Sequence, residues 1–216
     1  MFTRRKSTAL ATDWDGYYTS VPPTAKLTRR YTTAVLLDVI RRFAGARPLK
    51  IVEVGGANSC FLASVLAEFK CASYDVVDTN RYGLELLEER LGRQEIVHLH
   101  RESVFAMSLE PRADVVFSVG LIEHFDPNGT RAAVLAHFDV LRPGEILILT
   151  FPTPTLLYRV TRWLIEMAGM WKFHDERPLV PAEVISSILQ RGEVLFQKTL
   201  WPLILTQHLI VARKNT

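Results

Sequence analysis

The chain has 216 residues, 48% of them hydrophobic and 23% charged, which suits one globular α/β domain and excludes a disordered polypeptide. Two cysteines, Cys60 and Cys71, exclude a disulfide framework and favour a reducing compartment. Residues 1–50 hold ten Lys or Arg and three Asp, a net of +7, whereas the remaining residues sum to −4. The basic residues of this N-terminal segment either approach an anionic partner or form a solvated helix face.

The N-terminal residues predict an arm followed by a helix. Residues 1–22 have no periodic pattern, and apolar side chains recur at helical spacing over residues 24–44. We expect residues 1–47 to cover or cap a ligand site. No apolar run reaches the length of a membrane span, and the basic start lacks the apolar segment of a signal peptide, so we expect a cytoplasmic location.

The middle of the chain alternates short β-branched runs with amphipathic segments. This alternation predicts a doubly wound, mostly parallel sheet covered by helices on both faces. Ligands of such sheets bind outside the carboxyl ends of the strands. The predicted strands cover residues 50–54, 74–77, 96–99, 113–119 and 145–151, and the helices cover residues 59–69, 81–91 and 130–141.

The C-terminal part has a different pattern. Residues 155–190 are mostly helical in pattern and predict a cap, and the strands predicted at 194–200 and 206–213 are close enough for an antiparallel pair. Apolar side chains in residues 156–170 recur at helical spacing. A core face or pocket wall is favoured for them, and an apolar substrate or a lipid surface, with peripheral membrane contact, is the alternative.

Two strand ends carry residues suited to a nucleoside ligand. The first strand ends in Glu53-Val54-Gly55-Gly56-Ala57, a run of small residues that permits a sharp turn and a close ligand. The second ends at Asp78, whose carboxylate can accept hydrogen bonds from both ribose hydroxyls or can cap the next helix. The loop lacks the G-x-G-x-x-G pattern of dinucleotide-binding enzymes, which counts against a nicotinamide-dependent oxidoreductase.

Four segments together resemble the class I S-adenosylmethionine-dependent methyltransferases: KIVEVGGANSCFLASVLAE, SYDVVDTN, ADVVFSVGLIEHFD and LRPGEILILTFP, in this order. The resemblance covers roughly residues 48–152. It implies a methyltransferase domain over residues 48–216, with the cap of residues 155–190 as an insertion. It also implies an α/β fold with a seven-stranded Rossmann-like sheet whose last strand is antiparallel, and S-adenosyl-L-methionine as the cofactor.

The resemblance assigns roles to individual residues. Glu53 would lie near the methionine amino group, Asp78 would hold the ribose hydroxyls, and Thr79 would lie beside the adenine. Either Glu102 or Ser103 would contact the adenine amino group. The remaining cofactor contacts would come from Gly55, Gly56, Ala57, Ser118 and Val119.

The pair Glu123-His124 follows the fourth predicted strand, where many small-molecule relatives place the methyl-transfer site. A histidine there can act as a general base or be structural, and His174, in a cluster of charged and aromatic residues, is the second candidate base. Gly120 occupies the position of an acid that binds metal in some relatives, so no metal site is expected.

We expect O-methylation of a small molecule or glycan. The alternatives are a noncatalytic scaffold and a nucleic-acid methyltransferase, which the absence of the expected motifs disfavours. The oligomeric state does not follow from the sequence.

Overall fold

The computed structural model describes residues 12–19, 23–92, 94–201 and 206–216. Within these ranges, no helix is both long and apolar enough to cross a membrane. The helices are α1 (Trp14–Thr19), α2 (Pro23–Phe43), α3 (Leu62–Glu68), α4 (Arg81–Leu91), α5 (Pro127–Val140), α6 (Leu156–Met167) and α7 (Pro181–Ile188). The strands are β1 (Leu49–Val54), β2 (Cys71–Val77), β3 (Val97–His100), β4 (Ala113–Val119), β5 (Leu141–Pro152), β6 (Gly192–Leu200) and β7 (Gln207–Lys214).

The seven strands form one sheet in the order β3-β2-β1-β4-β5-β7-β6. Strands β1 to β5 pair in parallel, whereas β7 pairs antiparallel with both β5 and β6. The predicted doubly wound sheet with an antiparallel last strand is confirmed. The strand order reverses between β1 and β4, so the loops after these two strands border the ligand crevice that such a reversal creates.

Two apolar cores lie on the two faces of the sheet. Alternate residues of the central strands pack against α2, α3 and α4 on one face and against α5 and α7 on the other. Because both faces are covered, β1 and β4 are buried along almost their whole length and do not alternate between buried and exposed residues. The N-terminal ends of these strands are held by buried Asp114, which accepts hydrogen bonds from Arg47 Nη2 at 3.0 Å and from Lys50 N at 2.7 Å.

Several boundaries differ from the predictions. The arm contains the short helix α1, while residues 1–11 and 20–22 of the predicted arm lie outside the described residues. Helix α5 begins three residues early because the Asp126 carboxylate accepts a hydrogen bond from Gly129 N at 2.7 Å and Pro127 occupies the first turn.

The predicted core face of residues 156–170 is wrong. The apolar side chains of α6 point to solvent, and its buried residue is Tyr158. The inward face of α6 is polar because the Tyr158 hydroxyl and the Arg162 guanidinium both bind Glu176. Residues 168–180 are not helical and connect α6 to α7.

Candidate functional site

The loop after β1 turns tightly beneath the crevice. Gly55 has a φ of +77°, and a Cβ atom on Gly56 would lie 2.8 Å from Glu53 Cγ, so only glycine fits there. The other left-handed residue of this loop is Asn58, with a φ of +50°. Ala57 is outside that region, which explains why this position can depart from the glycine of the resembling family.

A serine side chain binds backbone N–H groups just before the helix that follows this loop. The Ser59 hydroxyl accepts hydrogen bonds from Phe61 N at 3.1 Å and from Leu62 N at 3.2 Å. Arg90 of α4 donates to Asn58 Oδ1 at 2.6 Å and also binds the Ser59 carbonyl oxygen. These bonds fix the course of the loop between β1 and α3.

Glu53 is buried under the loop. Its Oε2 accepts a hydrogen bond of 2.7 Å from the Tyr74 hydroxyl on β2. Burial raises the pKa of Glu53 to about 7, although the bond from Tyr74 lowers it. Near neutral pH the carboxyl group therefore changes charge readily, and a cation placed beside it would favour the ionised form.

Asp78 lies at the carboxyl end of β2 and faces the same loop. Its carboxylate accepts hydrogen bonds from Ala57 N at 2.9 Å and from Asn80 N at 2.8 Å. Burial raises the pKa of Asp78 above its ordinary value, and these backbone bonds oppose the rise. The capping role is filled by Asn80, whose Oδ1 accepts from Gly83 N at 2.6 Å, so the Asp78 carboxylate is not the cap of α4.

Helix α1 packs over this end of the crevice. The Tyr18 ring is so close to Gly83 that a Cβ atom there would lie 2.7 Å from Tyr18 Cε2. Burial, followed by the charge of Asp78, raises the pKa of the Tyr18 hydroxyl well above its ordinary value. Asn80 Nδ2 donates to Asp15 Oδ1 at 2.7 Å, which ties α1 to the start of α4.

The other predicted cofactor residues have varied surroundings. Ser118 is buried at the end of β4, and its hydroxyl oxygen has no hydrogen-bond partner among the described residues. Val119 is partly buried in the core beneath α2 to α4, and Thr79 is exposed. Glu102 accepts from Ser108 N at 2.7 Å, and Ser103 accepts from Phe105 N at 3.2 Å, so both side chains carry local bonds.

His124 lies in the turn after β4 and contacts two distant segments. Its Nδ1 is 3.0 Å from Asp175 Oδ1, and its ring centroid is 5.2 Å from that of Trp14 on α1. Burial lowers the pKa of His124 although Asp175 opposes the change, so the ring is neutral near pH 7. Because burial is outweighed by hydrogen bonds from Thr12 and His124, the pKa of Asp175 is below its ordinary value.

An ionised Asp175 can only accept hydrogen bonds, so Nδ1 of a neutral His124 must be the donor. The lone pair of the ring is then at Nε2. This arrangement of a neutral imidazole oriented by a carboxylate is that of a general base.

Two further carboxyl groups, those of Glu123 and Glu176, are adjacent in the chain to His124 and Asp175 respectively. Glu123 is 2% exposed, its Oε2 has no hydrogen-bond partner within the described ranges, and burial followed by the charge of Glu176 raises its pKa well above its ordinary value. Burial also raises the pKa of Glu176 to about 7, against the hydrogen bond from Tyr158. Both groups hold protons more tightly than exposed carboxyls do.

The segment of residues 171–179 folds back over the ends of β4 and β5. Arg177 N donates to Glu123 O at 2.9 Å, and Leu179 N donates to Pro152 O at 2.8 Å. The Arg177 guanidinium binds Glu183 Oε1 at 2.7 Å and Thr130 Oγ1 at 2.9 Å. These bonds place Asp175 against His124.

The structure brings His124 and Glu123 together with Asp175, whereas the other candidate base, His174, has an exposed side chain. The sequence analysis identified the cluster around His174 but gave Asp175 no role, and it assigned no role to Thr12 or Glu176. The signal for Asp175 was its place between aromatic residues and a proline, next to a histidine. Among the described residues, no group of three His, Cys, Asp or Glu side chains has the arrangement of a metal site.

The chain matches a family model described as a methyltransferase domain over residues 52–146. Among curated proteins, no sequence matches it significantly.

Solved structures resemble the chain over nearly its whole length. The N-methyltransferase NodS from Bradyrhizobium japonicum WM9, in complex with S-adenosyl-L-homocysteine, is 15% identical, with a TM-score of 0.70 over 96% of this chain and 95% of that chain. Magnesium protoporphyrin IX methyltransferase from Synechocystis PCC 6803, with bound S-adenosylhomocysteine, is 14% identical, with a TM-score of 0.71 over 94% and 93%. The 1,6-didemethyltoxoflavin-N1-methyltransferase from Burkholderia thailandensis is 16% identical, with a TM-score of 0.69 over 94% and 86%. At these identities the likeness shows a shared fold.

Proposed function

We propose that this chain, whose residues 52–146 match a methyltransferase domain, is a class I S-adenosylmethionine-dependent methyltransferase that methylates an oxygen atom of a small molecule or glycan, with His124 as the general base. The observation that carries this proposal is the 3.0 Å contact between His124 Nδ1 and Asp175 Oδ1. When bound, S-adenosylmethionine supplies an electrophilic methyl carbon on a sulfonium sulfur. The protein's own contribution is to align the acceptor, exclude water and remove a proton.

The loops after β1 and β2 fit this cofactor. The absence of a side chain at Gly56 keeps the backbone close to the crevice, and the Asp78 carboxylate, with about four lone-pair sites, uses two of them on backbone N–H groups. We therefore assign Asp78 to the ribose hydroxyls and Glu53 to the methionine amino group. The other proposed contacts are Gly55, Gly56, Ala57, Thr79, Ser118, Val119, and either Glu102 or Ser103.

The proton of the acceptor is proposed to move to Nε2 of His124. Asp175 holds the tautomer that leaves this nitrogen as the acceptor, and it stabilises the imidazolium that forms. Burial raises the pKa of Glu123 well above its ordinary value, and its protonated form is proposed to donate a hydrogen bond to the acceptor. His174 remains the alternative base, on the exposed side of the cap.

Residues 12–19 are proposed to cover the reaction site, in line with a covering role for residues 1–47. This segment contacts the cofactor side through Tyr18 and Asp15, and it contacts the acceptor side through Thr12 and Trp14. A cover that touches both sides would exclude water during methyl transfer. The segment 155–190 is proposed to close the acceptor side as a cap.

An amine acceptor is the second candidate. Three carboxyl groups, those of Glu123, Asp175 and Glu176, lie close enough to influence one another's pKa, and such a cluster favours a cationic ligand. This observation would make the enzyme an N-methyltransferase on the same fold.

The two candidates differ in the atom that receives the methyl group. The test incubates the enzyme with methyl-labelled S-adenosylmethionine and matched pairs of sugar and aromatic acceptors that carry either a hydroxyl or an amino group. Release of S-adenosylhomocysteine identifies the acceptor, and mass spectrometry locates the label. A label on oxygen is expected, whereas a label on nitrogen would replace the O-methylation proposal with the amine candidate.

A further inference from the structure

Helix α6 has the reverse of the usual orientation for an amphipathic helix. Its inward face is polar and bound to Glu176, whereas its outward face exposes Leu156 (81%), Trp163 (58%), Leu164 (55%) and Met167 (72%). These side chains fall on one stripe of the helix, because they recur at spacings of three, four and seven residues. Within the described part of the chain this stripe is not packed against the core, and a continuous apolar face of this kind marks an interaction surface.

Exposed apolar residues of α2 lie toward the same edge of the molecule. Tyr31 packs edge-on against Trp201, with ring centroids 5.3 Å apart, and Leu27 is exposed one turn earlier. Trp201 and Thr206 are the two described ends of the connection between β6 and β7. Thr206 Oγ1 is 2.9 Å from Thr155 Oγ1, which caps α6. Tyr31 of α2 therefore contacts one of these two residues, and the cap of α6 contacts the other.

The charges beside these apolar residues are mainly positive. Arg159 is exposed on the flank of α6, and Arg30 is exposed next to Tyr31. Glu166 of α6 is paired with Arg162 at 2.7 Å. Residues 1–50, which contain α2, carry a net charge of +7.

We propose that the exposed apolar stripe of α6, together with Leu27, Tyr31 and Arg30 of α2, docks on the surface of an anionic lipid membrane. A helix that lies in a membrane interface combines an apolar face rich in Leu and Trp with cations beside it, as α6 does. Basic residues add attraction to anionic lipids. A second copy of the chain would instead bring the same cations into opposition, which disfavours a dimer through this face.

The test measures co-sedimentation of the full chain with phosphatidylcholine vesicles with and without about 30 mol% phosphatidylglycerol. We expect binding to the anionic vesicles that weakens at high salt. The combined change Trp163→Ser, Leu164→Ser and Met167→Ser should reduce the partition coefficient at least about tenfold, because each exposed side chain loses apolar area that the lipid would cover. The matched control, Val180→Ser with Leu189→Ser, removes two other exposed apolar side chains and should bind as the unchanged protein does.

A spectroscopic signal reports on the helix itself. Trp163 fluorescence should shift to shorter wavelength on anionic vesicles, and Trp163→Phe should abolish that shift while Trp14, Trp171 and Trp201 remain. Absence of binding to the anionic vesicles, or equal binding by the triple variant, would overturn the proposal. A concentration-dependent dimer that only the triple variant disrupts, without vesicle binding, would assign the face to a second copy instead. Neither result depends on methyl transfer, so the proposed reaction is tested separately.

Discussion

The two halves of the site are built in different ways. The proposed cofactor side takes Glu53, Gly56 and Asp78 from the ends of the parallel strands β1 and β2 and the residues that directly follow them, where the backbone ladder aligns the strand ends. The proposed acceptor side takes Thr12, His124 and Asp175 from segments separated by 51 to 163 residues, which meet through side-chain contacts. The sheet fixes the first half, whereas the second depends on how the arm and the cap pack. Substitutions should therefore separate cofactor binding from catalysis.

The largest expected effect comes from removing the base on the acceptor side. His124→Gln should reduce kcat about 10²- to 10⁴-fold, the usual contribution of general base catalysis. The affinity for S-adenosylhomocysteine, measured by calorimetry, should stay within about twofold, because in the proposed site His124 does not hold the cofactor. His98→Gln, at an exposed position on β3, is the control. Unchanged kcat in the His124 variant would exclude it as the base.

The reciprocal change affects the cofactor side. Asp78→Ala should weaken S-adenosylhomocysteine binding by at least about 100-fold, since hydrogen bonds to a charged group each contribute about 1.5–3 kcal/mol and the proposed contact has two. Asp75→Ala is the control, because Asp75 is on the same strand but binds His100 at 2.8 Å. Wild-type affinity in a folded Asp78 variant would contradict the assignment, and circular dichroism checks the fold.

A third experiment uses the pH dependence of stability. Burial raises the pKa of Glu53 to about 7. In the unfolded chain the Glu53 carboxyl group ionises near its ordinary pKa of 4.5. Its contribution to the free energy of unfolding is therefore fully present below pH 4.5 and is lost as the pH rises toward 7. Glu53→Gln keeps an acceptor for the Tyr74 hydroxyl but does not titrate. Between pH 4.5 and pH 8 its free energy of unfolding should therefore rise by on the order of 2–3 kcal/mol relative to that of the unchanged protein.

Urea unfolding at both pH values measures this difference. Glu89→Gln, at an exposed position of α4, should show no comparable gain. An equal pH dependence in the Glu53 variant and the unchanged protein would mean that Glu53 is ionised in the folded state.

The sequence was most informative where function follows from local pattern. Gly56 and Asp78 each follow a β-branched run, so their places at strand ends could be predicted from periodicity and their roles from the resemblance. Asp175 could not be predicted as the partner of His124, because no local pattern encodes a contact across 51 residues.

The orientation of α6 is a second feature that the sequence pattern could not predict. Periodicity predicted two faces for this helix but could not tell which one packs inward. Burial of an apolar face is the common outcome, but here Tyr158 and Arg162 bind Glu176 and turn the polar face toward the body. The information that decided the orientation lies 14 to 18 residues away, in the segment that also supplies Asp175.

The smallest expected effect tests whether that segment acts through His124. Asp175→Asn should reduce kcat by about tenfold, because the amide can still accept from Nδ1 but no longer stabilises the imidazolium. Since Asp175 raises the pKa of His124 against the effect of burial, its neutralisation should lower that pKa further. Activity requires the neutral ring, so the acid limb of the pH profile should move to lower pH. Asp175→Ala should lose more activity than Asp175→Asn, because it also releases the orientation of the ring. A lower kcat with an unmoved acid limb would mean that Asp175 holds the cap in place without acting on the base.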